Sequence, residues 1–351
     1  MLFKSLITID VYYFRTQQVL ESDTVFRERA LTIIHEMVEM SNTSNDIDYA
    51  TQLVDEVLHS IFFLGKINDP RFFPEKIMKD EEMLNELKVN YPRPFDLYSS
   101  RLPRRSPFSC VLDMVVHLTG ERNEDTIINR LRELYHQLSD ITVQSAGREK
   151  HLISSVICVS QSTESPDSVR YYGVSMSTCG KTPGQIMLAA CCFGYWDSDI
   201  ADAVMTRYPG RMSNCDATIK LPEKVRCKAF NLSDGKPKPP CKSCRDLFGL
   251  TTEREEADEK SKMWVCGNCA EVESVSKMFK NEEAIKAQSK SDTCTNQNRE
   301  RVRERVLKHL IILLDKVGFV QDMFYHPLPP HSGPVCTVRQ PSVKCPFCTC
   351  C

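Results

Sequence analysis

The sequence predicts an α+β fold, and three observations carry that expectation. Apolar residues recur at three- and four-residue intervals through the first 145 residues, and short β-branched runs take over beyond residue 150. Two Cys-x-x-Cys pairs, Cys241/Cys244 and Cys266/Cys269, follow, separated by roughly twenty residues. The first pattern puts an apolar stripe on each helix, and the second suits a pleated, half-buried surface. The third lets two tight turns present four thiolates to one metal ion. The expected order is a helical N-terminal region (1–145), then a mixed α/β domain (146–285) with a zinc-binding cysteine module. A linker (286–298), a C-terminal helix (299–326) and an irregular cysteine-rich tail (327–351) complete it.

In the N-terminal region, Ser22-Asp23 stands before Val25, Phe26, Ala30, Leu31, Ile34, Met37 and Val38, a cap followed by a helical face. A polar break from Asn42 to Asp48 precedes a second face, Tyr49, Leu53, Val54, Val57, Leu58, Ile61 and Phe62, which Gly65 and Pro70 end. A charged helix is expected from Pro74 to Val89, then an extended connection at Tyr91-Pro92-Arg93-Pro94. Arg101 to Pro107 reads as a solvated basic linker, and Val111 to Leu118 and Ile127 to Leu138 as two more amphipathic helices. His35 and His59 are ordinary helix residues on this reading.

Leu152 to Val159 and Arg170 to Met176 flank a Ser/Pro/Asp turn and read as a hairpin. An apolar helix from Gln185 to Tyr195 follows, then Ile200 to Met205 and a strand at Val225 to Phe230. Cys191 and Cys192 lie on the apolar helix and are expected to be packed thiols. The charged run Thr251 to Lys262 can hardly be buried, whereas Phe248, Leu250 and Trp264 are expected beside the metal. The spacing of Val272, Val275, Met278 and Phe279 predicts a helix with Glu271 in its first turn. Arg299 to Leu314 predicts the last helix.

With 45 basic and 47 acidic residues, the chain is not one whose affinity comes from blanketing nucleic-acid phosphates. The apolar run in Met1 to Asp10 is too short for a signal peptide, and no apolar stretch is long enough for a membrane span. Seventeen cysteines therefore read as reduced thiols and metal ligands in a cytoplasmic or nuclear protein. Cys179, beside Gly180, is a minor candidate for a nucleophile.

The cysteines can be grouped in two ways. Cys241, Cys244, Cys266 and Cys269 together make a closed four-thiolate site, which leaves zinc no open position and makes it a structural staple. The protein would then be an intracellular zinc-binding protein whose module supports an interaction surface for a protein partner. Alternatively, Pro240-Cys241-Lys242-Ser243-Cys244 and Cys269-Ala270-Glu271 resemble the metal motifs of the zinc-dependent cytidine deaminase superfamily. The likeness spans about thirty residues, and the two motifs stand in the reverse of the family's order. It implies Cys241, Cys244 and Cys269 as zinc ligands, Glu271 as proton shuttle, and a nucleoside or nucleic-acid base as substrate. The family's carboxylate would ordinarily be sought on the helix after Pro183, which has none between Gln185 and Cys192.

Overall fold

In a computed structural model, the described residues are 24–141, 152–178, 180–210, 218–250, 265–289, 295–320 and 323–327. They form thirteen helices and a small antiparallel sheet, the expected α+β class. The expectations for Ser22-Asp23, Cys179, Thr251 to Lys262, Trp264 and the tail beyond residue 327 lie outside the described residues.

Helix α1 (24–42) buries Phe26, Ala30, Ile33, Ile34 and Met37, the stripe its periodicity predicts. Asp46 caps α2 (Ile47–Ile67) by accepting from the Tyr49 amide. Most of α2 from Leu53 onward is buried, because neighbouring helices cover it on several sides. The single charged helix expected after Pro74 is instead α3 (Pro74–Ile77) and α4 (Glu81–Asn90), divided where Asp80 caps a new start. Tyr91 to Pro94 is not an extended connection either, for Pro92 begins α5 (Pro92–Leu97). Proline at the first helical position has no amide hydrogen bond to lose, and its φ already suits a helix.

Residues 101–107 also depart from expectation. Arg101–Leu102 is a short strand, β1, and Arg105 is only 4% exposed. Its guanidinium meets Glu56 at 2.8 Å and Asp113 on α6 (Pro107–Thr119). A sequence window showing three arginines does not reveal carboxylates that arrive from distant helices. Helix α7 (Glu124–Asp140) follows, with Leu131, Leu134 and Leu138 buried.

The predicted hairpin is β2 (Val156–Ser162) with β3 (Arg170–Val174). Helices α8 (Lys181–Gly194) and α9 (Ser198–Arg207) then lead to β4 (Val225–Asn231), which pairs antiparallel to β2. A short β5 (Pro237–Lys238) completes the order β3-β2-β4-β5. After α10 (Lys242–Phe248), α11 (Ala270–Asn281) returns to lie across β2, β3 and β4, while α8 packs on α9 and on α13 (Asn296–Lys316). Helix α12 (Glu283–Ser289) extends into the region read as a linker. A two-residue β6 (Met323–Phe324) pairs parallel with β1. One hydrophobic core runs from Phe26 through Phe279 to Phe319. No helix among the described residues is long and apolar enough to cross a membrane.

Candidate metal centre

The site lies where two helices begin. Strand β5 enters Pro239-Pro240, after which Cys241 is the residue preceding α10 and Cys244 falls in its first turn. The second half comes from Val265 to Cys269, where the Asn268 amide donates to the Val265 carbonyl at 3.2 Å. Gly267 adopts φ +102°, and a β-carbon there would stand 2.8 Å from Leu188 Cδ1, so both conformation and space call for glycine. Cys269 precedes α11, whose first turn carries Glu271. Small residues seat that turn on the sheet: Ala270 packs with Val156, Cys158 and Ala229, and Ser274 Oγ is 2.8 Å from Ser160 Oγ.

Cys241, Cys244 and Cys269 have their sulfurs within 4.8 Å of one another, with 3.4 Å between Cys241 and Cys269. Thiolates at about 2.3 Å around a tetrahedral ion stand about 3.8 Å apart, so this group could hold a metal ion. Cys266 is not a member of it. Cys191 and Cys192 are buried on α8, as expected of packed thiols. Hydrogen bonds from Cys244 and Cys269, against the upward push of burial, hold the Cys241 thiol far below its ordinary value, and the Ser243 and Cys244 amides assist. The same bonding pushes Cys244 and Cys269 up. Cys241 immediately precedes α10 and Cys269 immediately precedes α11, so the group is held at the starts of two helices.

Glu271 is buried, and burial raises its carboxyl above the ordinary range, partly opposed by hydrogen bonds with its own backbone and with Cys244. A carboxylate in a first turn often answers only the helix dipole. This one also lines a cavity of about 160 Å³ that reaches Cys241 and Cys269. Val156 and Met176 supply an apolar wall, and Lys238 and Asn268 supply polar groups. The Asn268 backbone carbonyl accepts from the Met176 amide at 2.9 Å, but its side-chain oxygen is buried with no hydrogen-bond partner among the described residues.

Sequence reasoning singled out the four cysteines and Glu271 but missed Lys238 and Asn268. Both flank the motifs, at Lys238-Pro239-Pro240-Cys241 and Asn268-Cys269, and adjacency was the signal that could have found them. It also missed a buried network behind α11. Glu273 accepts from Ser109 Oγ at 2.5 Å and from the Val174 amide at 3.1 Å, and Lys277 bridges Glu273 and Asp113. No family model matches the chain, and neither a curated protein nor a solved structure is significantly similar to it.

Proposed function

We propose that the chain is a zinc-dependent hydrolase of deaminase type, acting on an aminated ring such as a nucleoside or a nucleic-acid base. One observation carries this reading: three thiols, rather than four, gather beside a buried carboxyl at an accessible cavity. Three soft thiolates suit zinc and leave its fourth position free. When bound, zinc supplies Lewis acidity, which lowers the pKa of water to about 7.

The remaining chemistry falls to this chain's residues. Glu271 takes a proton from the attacking water and passes it to a ring nitrogen, then moves the remaining hydroxyl proton of the adduct to the departing amine. A carbon–oxygen bond forms at the amine-bearing carbon, the carbon–nitrogen bond breaks, and ammonia leaves. Water is the sole co-reactant. Val156 and Met176 offer the ring an apolar wall.

Two strands, a helix and then a strand is the order in which deaminase-like sheets begin, and here two helices, α8 and α9, stand between β3 and β4. The reversed motif order has a physical counterpart, because α11 rather than α8 covers the sheet and brings Glu271 to the cysteines. A second reading, closed four-thiolate zinc beneath a protein-interaction surface, is favoured by Cys266, whose thiol is pushed up chiefly by burial, with Cys241 near enough to add to the rise. That reading requires the Cys266 sulfur to move into the group.

Zinc content and ammonia release, measured on the purified full chain, separate the two. On the hydrolase reading Cys266→Ser keeps one zinc and Cys244→Ser loses it. Glu271→Gln keeps zinc and fold but releases no ammonia from a panel of amino-pyrimidine and amino-purine nucleosides and nucleotides. A parent inactive on the whole panel, or a Glu271→Gln protein as active as the parent, removes the mechanism. Loss of zinc and fold in Cys266→Ser selects the closed site.

A further inference from the structure

Resting on the hydrolase reading, we infer that the substrate is an aminated ring bearing a phosphate, and that Lys238 is the residue that binds the phosphate. The argument begins with size. At about 160 Å³ the cavity is well below the ~300–1,000 Å³ of sites that enclose a drug-sized ligand. It takes one ring and leaves any sugar and its substituents at the mouth.

Charge at the mouth is the second step. Among the described lining residues, Glu271 and Lys238 are the ionisable side chains other than the thiols, and Glu271 faces the cysteines. Lys238 sits half-buried on β5, forms no ion pair among the described residues, and is close enough to Glu271 for its charge to oppose the rise of that carboxyl. Pro237, Pro239 and Pro240 flank it and fix the backbone φ angles on either side. Lys236 and Lys242, both exposed, are near Lys238 in sequence but do not line the cavity, and Asp234 stands 3.9 Å from Lys236.

An exposed lysine without a partner is ordinary, because water solvates it. A half-buried one in a cavity wall has given up part of that hydration and gains from an anion. The thiolate set supplies the reason for a cation in this place. Three thiolates around a dication retain one net negative charge, and Glu271 adds another when ionised, so an anionic ligand is repelled unless a positive group stands at the entrance. A neutral nucleoside needs no such group.

Calorimetric binding to the zinc-loaded Glu271→Gln protein, which does not turn substrate over, tests the assignment. The probes are cytidine, adenosine, their 5′-monophosphates and a short single-stranded oligonucleotide. A monophosphate is expected to bind at least about tenfold more tightly than its nucleoside. Adding Lys238→Ala removes that advantage and leaves nucleoside affinity unchanged, while Lys238→Arg retains it and reports on folding. An oligonucleotide that binds still more tightly, with the same loss in Lys238→Ala, assigns the phosphate to a polynucleotide. Equal binding of nucleoside and monophosphate, an advantage that survives Lys238→Ala, or binding of none of the probes overturns the inference. Ammonia release from nucleosides and nucleotides at equal efficiency by the parent protein sinks it while sparing the hydrolase reading.

Discussion

Gly173 on β3 and Ser274 on α11 touch backbone to backbone: a β-carbon at Gly173 would stand 2.3 Å from the Ser274 nitrogen and 2.4 Å from the Ala270 carbonyl oxygen. No side chain separates strand from helix at this point, so the first turn of α11 is set directly by the sheet. Cys269 and Glu271 are positioned by the same contact. Gly173→Ala must therefore push the helix start away, since the obstructing atoms are backbone and cannot turn aside. Overpacking of this kind costs about 1–3 kcal/mol. Thermal unfolding is expected to show that loss, and zinc retention against a competing chelator is expected to fall with it. A variant with unchanged chelator resistance would mean that α11 does not fix the cysteine group.

The network behind α11 makes a separate prediction. Lys277 lies 2.6 Å from Asp113 and 3.0 Å from Glu273, in a region where Arg105 also meets Asp113. Replacing Lys277 by methionine preserves length and leaves two largely buried carboxylates facing each other. Removing one partner of a buried ionic group costs about 3–5 kcal/mol, and the remaining Arg105 places this case at the lower end. Burial pushes the Asp113 carboxyl up, but Lys277 and Arg105 outweigh it and hold it down at about 2. The stability Asp113 contributes is therefore present above about pH 4 and lost as pH falls toward 2. Denaturant midpoints of Lys277→Met are expected to be lower than the parent's at pH 7 and to converge with them in acid. A constant gap across that range would exclude the pairing as its cause.

Residues whose chemistry is local were legible before the structure was known. The stripe Phe26, Ile34, Met37, the hairpin β2–β3 and the helix after Cys269 all appear where periodicity and turn residues put them. The four cysteines were legible from spacing, and the smaller group Cys241, Cys244 and Cys269 only through the resemblance to the deaminase motifs. The boundary between Cys266 as ligand and Cys266 as bystander was not, because it depends on where two turns meet in space. Arg105 was misread for the same reason. Its partners Glu56 and Asp113 come from α2 and α6, and a window of neighbouring arginines carries no record of them. The short helices α3, α5 and α12 depend on proline placement and tertiary contact more than on periodicity, which needs several turns to be read.

Asp202 gives a milder case than Lys277 and a useful comparison. It is buried on α9 and receives Arg299 and Arg303 from α13, each at 2.8 Å. In Asp202→Asn both arginines keep a route to water, being 26% and 46% exposed, so neither is left as a stranded buried charge. Hydrogen bonds to charged groups contribute about 1.5–3 kcal/mol. Asp202→Asn is expected to cost no more than that and to increase amide exchange along α13, with a smaller effect than Lys277→Met. A larger loss than Lys277→Met would reverse this ranking of the two networks.

Asp55 reverses the sign of the acid prediction. Its carboxyl accepts from the Tyr325 hydroxyl and is pushed up to about 6, chiefly by burial, with that hydrogen bond opposing the rise. A carboxyl whose folded value exceeds its unfolded value binds a proton more tightly in the folded chain. The resulting stability is fully present below about pH 4 and is lost as pH rises through 6. Asparagine reproduces the neutral form and keeps an oxygen for Tyr325, so Asp55→Asn should match the parent near pH 4 and exceed it at pH 7. A displacement of this size corresponds to roughly 3 kcal/mol. Urea unfolding of parent and variant at pH 4, 5, 6 and 7 gives the difference directly. A gap that widens steadily between pH 4 and 6 and then levels identifies Asp55 as its source. A gap that is the same at all four values would mean that the substitution acts through packing around Tyr325 and His59, whose rings stack at 3.7 Å, and not through ionisation.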